Sequence, residues 1–322
     1  MANNVTDMEI DLVYLWVDGS DPAWQAKRAA FTGDLPENTE INCKGRYANN
    51  DELKYSLRSV EKYAPWIRKI FIVTDGQTPG WLNTQNPKIK IIDHKDILPP
   101  EYLPCFCSPT IEYHLYKIQD LSEHFLYAND DMFINKPVSP DTFFGADRLP
   151  IIRMKQWTRP RLALMFLQER ILKIKKTLTP YNRALLNAKE LVTKKYGSCN
   201  SLLPHHNIDA YIKHDFREAV EKKIKKELNP QFEKGMRGDN YIQRIVLQHI
   251  ALAEKRGHIL RVSPIKESFH ACIYLENDYK KILKYKPMMF CMNDSEYAGD
   301  GDREKLKAWL SSYFPNKSSF EK

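Results

Sequence analysis

The sequence predicts an α/β fold: a mostly parallel central sheet flanked by helices, Rossmann-like, with a helical insertion. Three observations predict it. Short runs of β-branched and aromatic residues each stop at a turn of Asp, Gly or Asn. Segments with apolar spacings of three and four lie between those runs. Strands that alternate with helices pair in parallel and are covered on both faces.

In order, Ile10-Asp-Leu-Val-Tyr-Leu-Trp-Val17 reads as a buried strand stopped by Asp18-Gly-Ser-Asp-Pro22, and residues 25–49 read as irregular. Leu53, Leu57 and Val60 mark a helix face with Asn50 or Asp51 as N-cap. Ile70-Phe-Ile-Val-Thr74 is a second strand ended by Asp75-Gly76, and Ile89 to Ile92 a third. Pro109 and Thr110 open a helix through Leu121. Phe125-Leu-Tyr127 is a fourth strand, followed by Asn129-Asp130-Asp131. Helices are expected over 208–225 and 239–256, a late strand over Ile259–Val262, and a last helix from Arg303 to Phe314. Ligands of such sheets bind beyond the carboxyl ends of the strands. The turns at Asp18-Gly19, Asp75-Gly76 and Asp130-Asp131 are therefore expected to converge on one sheet edge.

The 322 residues read as a single catalytic-size domain, 1–322, with a basic helical insertion at 153–198. Between Arg153 and Lys195 twelve Lys or Arg face only Glu169 and Glu190. That stretch reads as a solvated basic face, or, with its apolar neighbours, as an acceptor groove or a contact for an anionic membrane surface. The chain is 43% hydrophobic and 28% charged, an ordinary globular balance that sets aside collagen, coiled coil and wholesale disorder. Its net charge of +8 fits an anionic ligand without implying nucleic acid. Six cysteines without Cys-x-x-Cys spacing read as reduced thiols. The first 30 residues show no basic stretch followed by an apolar one, so no signal peptide is expected.

Adjacent carboxylates after a buried strand repel each other and lose hydration, so Asp130-Asp131 reads either as a site for a hard divalent cation or as an acidic turn. Asp18, Asp21 and Asp294 add acidic loops. His205 and His206 precede an expected helix and read as a general acid or base, as a hydrogen-bond donor to phosphate, or as one ring that caps or packs beside a solvated one. Arg237, between Gly235 and Gly238, reads as a phosphate ligand or a surface turn. Asp300-Gly-Asp302 reads as a turn and helix cap.

These segments together resemble the Stealth family of hexose-1-phosphate transferases. Ile10 to Asp21 resembles the family's first block. The second runs from Arg46-Tyr-Ala-Asn-Asn-Asp-Glu-Leu-Lys-Tyr-Ser-Leu-Arg58 through Ala64-Pro-Trp66 and Ile72-Val-Thr-Asp-Gly-Gln77. It continues through Ser108-Pro-Thr-Ile-Glu112 to Phe125-Leu-Tyr-Ala-Asn-Asp-Asp-Met132. His205, His206, Arg237 and Asp239 carry the third, and Cys291-Met-Asn-Asp294 with Tyr313-Phe-Pro315 the fourth. The resemblance implies a glycosyltransferase-A-like scaffold and transfer of a hexose 1-phosphate from a nucleotide-diphosphate sugar, UDP-hexose first, to a glycan hydroxyl in cell-surface polysaccharide synthesis.

It also implies roles. Asp131 and Asp294 would hold Mg2+ or Mn2+ against the diphosphate. Arg237 would bind a phosphate oxygen, and Asp130 or His206 would take the acceptor proton. Asp18, Gly19, Asn50 and His205 would line the donor pocket. Glu52 and Arg58 would support it, unless Arg58 makes a structural ion pair with Glu52 or Glu61. The insertion would carry acceptor choice. The expected setting is the cytoplasm, with contact at the inner membrane face. A conventional glycosyltransferase, releasing a nucleoside diphosphate, is the alternative. A nucleic-acid module is not expected, because the acidic loops would repel a polyanion.

Overall fold

The structure is a computed structural model that describes residues 7–33, 43–155, 179–236, 238 and 241–322. Arg237, Asp239 and 156–178, most of the basic stretch, lie outside the described residues. The central sheet has the order β3-β2-β1-β4-β8. It comprises β1 (Ile10–Leu15), β2 (Ile70–Thr74), β3 (Ile89–Asp93), β4 (His124–Asn129) and β8 (Asp209–Ile212). The first four pair in parallel, with Leu12 opposite Ile70 and Leu126, and β8 runs antiparallel to β4. The expected mostly parallel α/β fold is thus present.

Both faces of this sheet are covered, which is why its strands read as continuous apolar runs. Val13, Phe71 and Phe125 point to one core. Leu12, Ile72 and Leu126 point to the other, where Leu53 and Leu57 of helix α2 (Glu52–Tyr63) pack. A second sheet joins β5 (Met132–Ile134), β11 (Met289–Asn293) and β10 (Ser268–Cys272). A third joins β6 (Ile151–Lys155), β7 (Leu203–Pro204) and β9 (His258–Arg261).

Several expected elements differ. A helix, Pro22–Thr32, occupies part of 25–49; Asp21 caps it by accepting from Ala23 N, and Pro22 fits its first turn. The segment from Pro109 is not one helix to Leu121 but a short helix, Ser108–Glu112, then one tight turn over Leu115–Lys117. Residues 109 to 116 are all buried, so no solvent face supports a longer amphipathic helix. Residues 209–212 form strand β8 rather than helix: the strand is buried on both faces, so its period of two is hidden. The insertion includes strand β6 and a helix, Pro180–Tyr196. Gly299 N donates to Asp302, so 300–302 is a helix start as expected. The six cysteines are free thiols. Among the described residues, no helix is long and apolar enough to cross a membrane.

Candidate active site

A cavity of about 540 Å³ opens beyond the carboxyl ends of β1, β2 and β4. Val17, Asp75, Asp130 and Asp131 line it, so the turns after three strands do meet at one edge. The cavity also takes Glu52 from α2, His206 from the loop between β7 and β8, and Asp294 from the end of β11. Residues from opposite ends of the chain therefore share one space.

The carboxylates are short of partners. Asp131 Oδ1 is buried with no hydrogen-bond partner among the described residues. Its Oδ2 accepts from the Cys291 thiol at 3.0 Å. Burial, then the charge of Asp131, pushes Asp130 up to about 8. Burial pushes Asp131 up to about 7 against the Cys291 hydrogen bond, with Glu52 adding to the rise. Glu52 is held near 8 by burial and then by Asp130, although Asn50 donates to it twice, at 2.7 Å from its N–H and from its side-chain amide. Three carboxylates, Glu52 buried and Asp130 and Asp131 half-buried, that lose hydration and repel one another are the donor set a hard divalent cation relieves.

Asp294 fits a metal less well. Arg303 grips it with two hydrogen bonds, 2.8 Å to Oδ2 and 3.0 Å to Oδ1, and Ser295 N donates to Oδ1 at 2.7 Å. Both oxygens are already engaged. Asn50 Nδ2 lies 3.5 Å from Oδ2, which links Asp294 to the group that steadies Glu52. Glu52, by contrast, is tied to the pair: the charge of Asp130 bears on it, and its own charge bears on Asp131.

His206 sits in the left-handed backbone region with φ of 57°, a conformation that costs a non-glycine residue about 1–2 kcal/mol. Its ring lies 4.9 Å from that of His270. The ligand atoms of His206, His270 and Cys291 all lie within 4.8 Å of one another. That set suits a borderline ion such as zinc only with the thiol ionised. Burial and the Asp131 carboxylate hold the Cys291 thiol well above its usual range, so the carboxylate set is the better cation site. Burial, then His270, pushes His206 well below the ordinary imidazole range, so it is neutral at pH 7.

The remaining expected residues are less direct. Asp18 and Gly19 do not line the cavity; they follow Val17, which does. Asp18 accepts from Ser20, and its main chain exchanges hydrogen bonds with Gln77. A Cβ on Gly19 would meet Tyr47 O at 2.3 Å, so only glycine lets this loop approach 43–48. Asn50 acts through Glu52. His205 stands behind the wall, 3.1 Å from Asp209 and 3.0 Å from Ser268. Arg58 does not reach the cavity: it holds Glu321 by two hydrogen bonds of 2.8 and 2.7 Å and Phe314 O at 2.6 Å. An ion pair was foreseen for it, but with Glu321 rather than Glu52 or Glu61. Arg58→Leu is expected to lower unfolding stability by about 2 kcal/mol, the range for a part-buried charged hydrogen bond, with donor KM unchanged. Denaturant unfolding and a donor titration check this.

Other cavity residues carried no sequence signal as a site. Gly45 is one: a Cβ there would meet Asp294 Oδ1 at 2.5 Å and Ser295 N at 2.9 Å. Gly45→Ala is therefore expected to displace the 43–48 loop or Asp294 and to cut turnover on the order of 10²-fold. Unchanged initial rates would show that this contact has no part in the reaction. Arg244 is another. Its guanidinium lies 4.2 Å above the Tyr127 ring and donates to Glu112 at 2.9 Å and Asp209 at 3.1 Å.

The described family regions fall on these elements. Residues 8–36 match Stealth protein conserved region 1, and residues 46–152 match conserved region 2. A capsular polysaccharide phosphotransferase of Haemophilus influenzae is 33% identical over 96% of this chain and 85% of its own length. An exopolysaccharide phosphotransferase of Lactiplantibacillus plantarum is 32% identical over 98% of this chain and 96% of its own. One from Streptomyces coelicolor is 51% identical over 42% of this chain, a stretch that makes up 23% of that longer protein. A crystal structure of the galactosyltransferase LgtC overlaps 94% of the chain at 13% identity and a TM-score of 0.43. With two conserved regions matched in order, and relatives at a third identity over nearly the whole chain, this protein belongs to the Stealth family of polysaccharide phosphotransferases.

Proposed function

We propose that the chain transfers a hexose 1-phosphate from a nucleotide-diphosphate sugar, UDP-hexose first, to a hydroxyl of a glycan in cell-surface polysaccharide synthesis. The observation that carries this reading is the cavity beyond the sheet edge where Asp130, Asp131, Glu52 and His206 meet. The acceptor oxygen attacks the β-phosphorus, the bond to the bridging oxygen breaks, and a nucleoside monophosphate leaves. The anomeric carbon keeps its bond to oxygen, so its configuration is retained.

Asp130 and Asp131, with Glu52 in the place expected for Asp294, would hold Mg2+ or Mn2+. That ion would offset charge on the diphosphate. His206 takes the acceptor proton: it is neutral at pH 7, with a ring lone pair available. Asp130 is the poorer base in this arrangement, because its carboxylate would be committed to the cation. Arg237 keeps its assignment to a phosphate oxygen. Asn50 steadies Glu52, and His205 steadies Asp209. Asp18 and Gly19 set the loop after Val17, beside the donor. Lys155, Thr179 and Tyr181 line the cavity from the flanks of the insertion, which supports an acceptor role for that segment. A cytoplasmic setting and contact of the basic insertion with an anionic membrane belong to the same reading.

Incubation with UDP-, GDP- and CDP-sugars plus Mg2+ or Mn2+, followed by product mass, tests it. A phosphodiester product with release of a nucleoside monophosphate is expected. Release of a nucleoside diphosphate would instead mean attack at carbon.

A further inference from the structure

Two buried polar atoms in the cavity lie away from the carboxylates and the imidazole already assigned. Asp75 ends β2, and its side chain is 6% exposed. Lys27 holds Oδ1, while Oδ2 has no hydrogen-bond partner among the described residues. His94 follows β3 directly and is 7% exposed; its Nδ1 also lacks a hydrogen-bond partner among the described residues and lies 3.9 Å from Asp75 Oδ1. Burial pushes His94 down to about 4, so it is a neutral ring with one N–H. A buried polar group left unpaired costs about 1–3 kcal/mol, which a ligand edge would recover.

The wall beside them is aromatic. Trp24, Tyr47 and Phe106 line the same cavity, with Trp24 5.1 Å from Tyr47 and 5.5 Å from Phe106, centroid to centroid. A flat ring with a polar edge fits an aromatic wall next to an unpaired acceptor and donor. The place is also apt. These residues stand beyond β1, β2 and β3, whereas the carboxylates stand beyond β4, so a nucleotide laid across the strand ends has its base here and its diphosphate there.

We propose that Asp75 and His94 form the nucleobase subsite of the donor and read uracil. The inference rests on the nucleotide-sugar reading above. Uracil N3–H donates to Asp75 Oδ2, and the His94 N–H donates to the adjoining carbonyl oxygen. One free carboxylate oxygen matches the single imide N–H of uracil. Guanine presents two adjacent N–H groups and would set one against the oxygen that Lys27 already holds. Cytosine and adenine present an acceptor nitrogen at the ring position where uracil has a donor.

Calorimetric titration of the full chain with UMP, 3-methyl-UMP, CMP and ribose 5-phosphate tests the subsite. UMP is expected to bind at least tenfold more tightly than CMP or ribose 5-phosphate. 3-Methyl-UMP, which lacks the N3–H, should bind no better than ribose 5-phosphate. Asp75→Asn is expected to weaken UMP 10- to 100-fold and to leave ribose 5-phosphate unchanged. Equal affinity of wild type for UMP and 3-methyl-UMP overturns the subsite, even if UDP-hexose is turned over. So does Asp75→Asn that binds UMP like wild type. Failure of the wild-type chain to bind any of the nucleotides overturns the subsite together with the donor reading. The methylated probe needs no variant, so the test stands even if Asp75→Asn does not fold.

Discussion

Asp131→Asn is expected to reduce cation-dependent release of the nucleoside monophosphate by at least about 10³-fold, some 4 kcal/mol of transition-state stabilisation. The substitution nearly preserves shape and removes one charge at the atom the fold leaves bare, Oδ1. Folded stability should hold or rise. Three poorly hydrated carboxylates repel one another in the absence of a cation, and neutralising one relieves that repulsion. Loss of activity with retained stability is a pattern that a structural aspartate does not give. Thermal melts supply a second readout. Mn2+ binds only the folded wild type, so it should raise its midpoint by mass action and raise that of the variant less. The effect should depend on pH with a definite sign. Asp131 is held near 7 and Asp130 and Glu52 near 8, so protons displace the cation as pH falls through that range. The Mn2+-induced shift should shrink from pH 8 to pH 6. A variant with wild-type rates would remove Asp131 from the cation site.

Much of this site was legible in the chain, and the reason lies in the sheet. Strand ends are marked by a change from β-branched residues to Asp and Gly, and parallel pairing brings those ends to one edge. Asp75, Asp130 and Asp131 could thus be placed together from sequence order alone. What sequence could not show is which carboxylate is already partnered. Asp294 looked free, yet Arg303, nine positions on, folds back onto both of its oxygens. Glu52 was expected only as a helix-borne support of the donor pocket, yet its helix packs on β5, which directs it at Asp130. Strand β8 escaped notice for a related reason. A strand buried on both faces loses the polar–apolar alternation that identifies one, and the guanidinium that partners Asp209 within it, that of Arg244, lies 35 positions on. Gly45 and His270 carry no local mark, because their roles depend on neighbours more than 60 residues away.

Those hidden partners of Asp209 lead to the largest expected effect on folding, that of Arg244→Leu. Arg244 is 6% exposed and is the shared cation of Glu112 and Asp209. Its guanidinium lies against Tyr127 and Tyr211 and donates to the Tyr211 hydroxyl. His205 donates to the other oxygen of Asp209, and its remaining ring nitrogen then accepts from Ser268. Removing one partner of such a group strands two buried carboxylates, at a cost of about 3–5 kcal/mol. Leucine fills much of the volume, so the loss reports charge rather than a cavity. The pH profile separates the two. Burial opposes ionisation of Asp209, but the His205 hydrogen bond and the Arg244 charge overcome it and hold the group near 2. Its contribution is present above pH 4 and is lost as pH falls toward 2. In the variant Asp209 loses the charge that favours its ionised form and takes up a proton at a higher pH, so the deficit relative to wild type should be large at pH 7 and should narrow below pH 5. Urea unfolding at pH 7, 5 and 4 gives the result directly: a deficit constant across that range would mean that Arg244 contributes packing alone, and that the buried charges are satisfied without it.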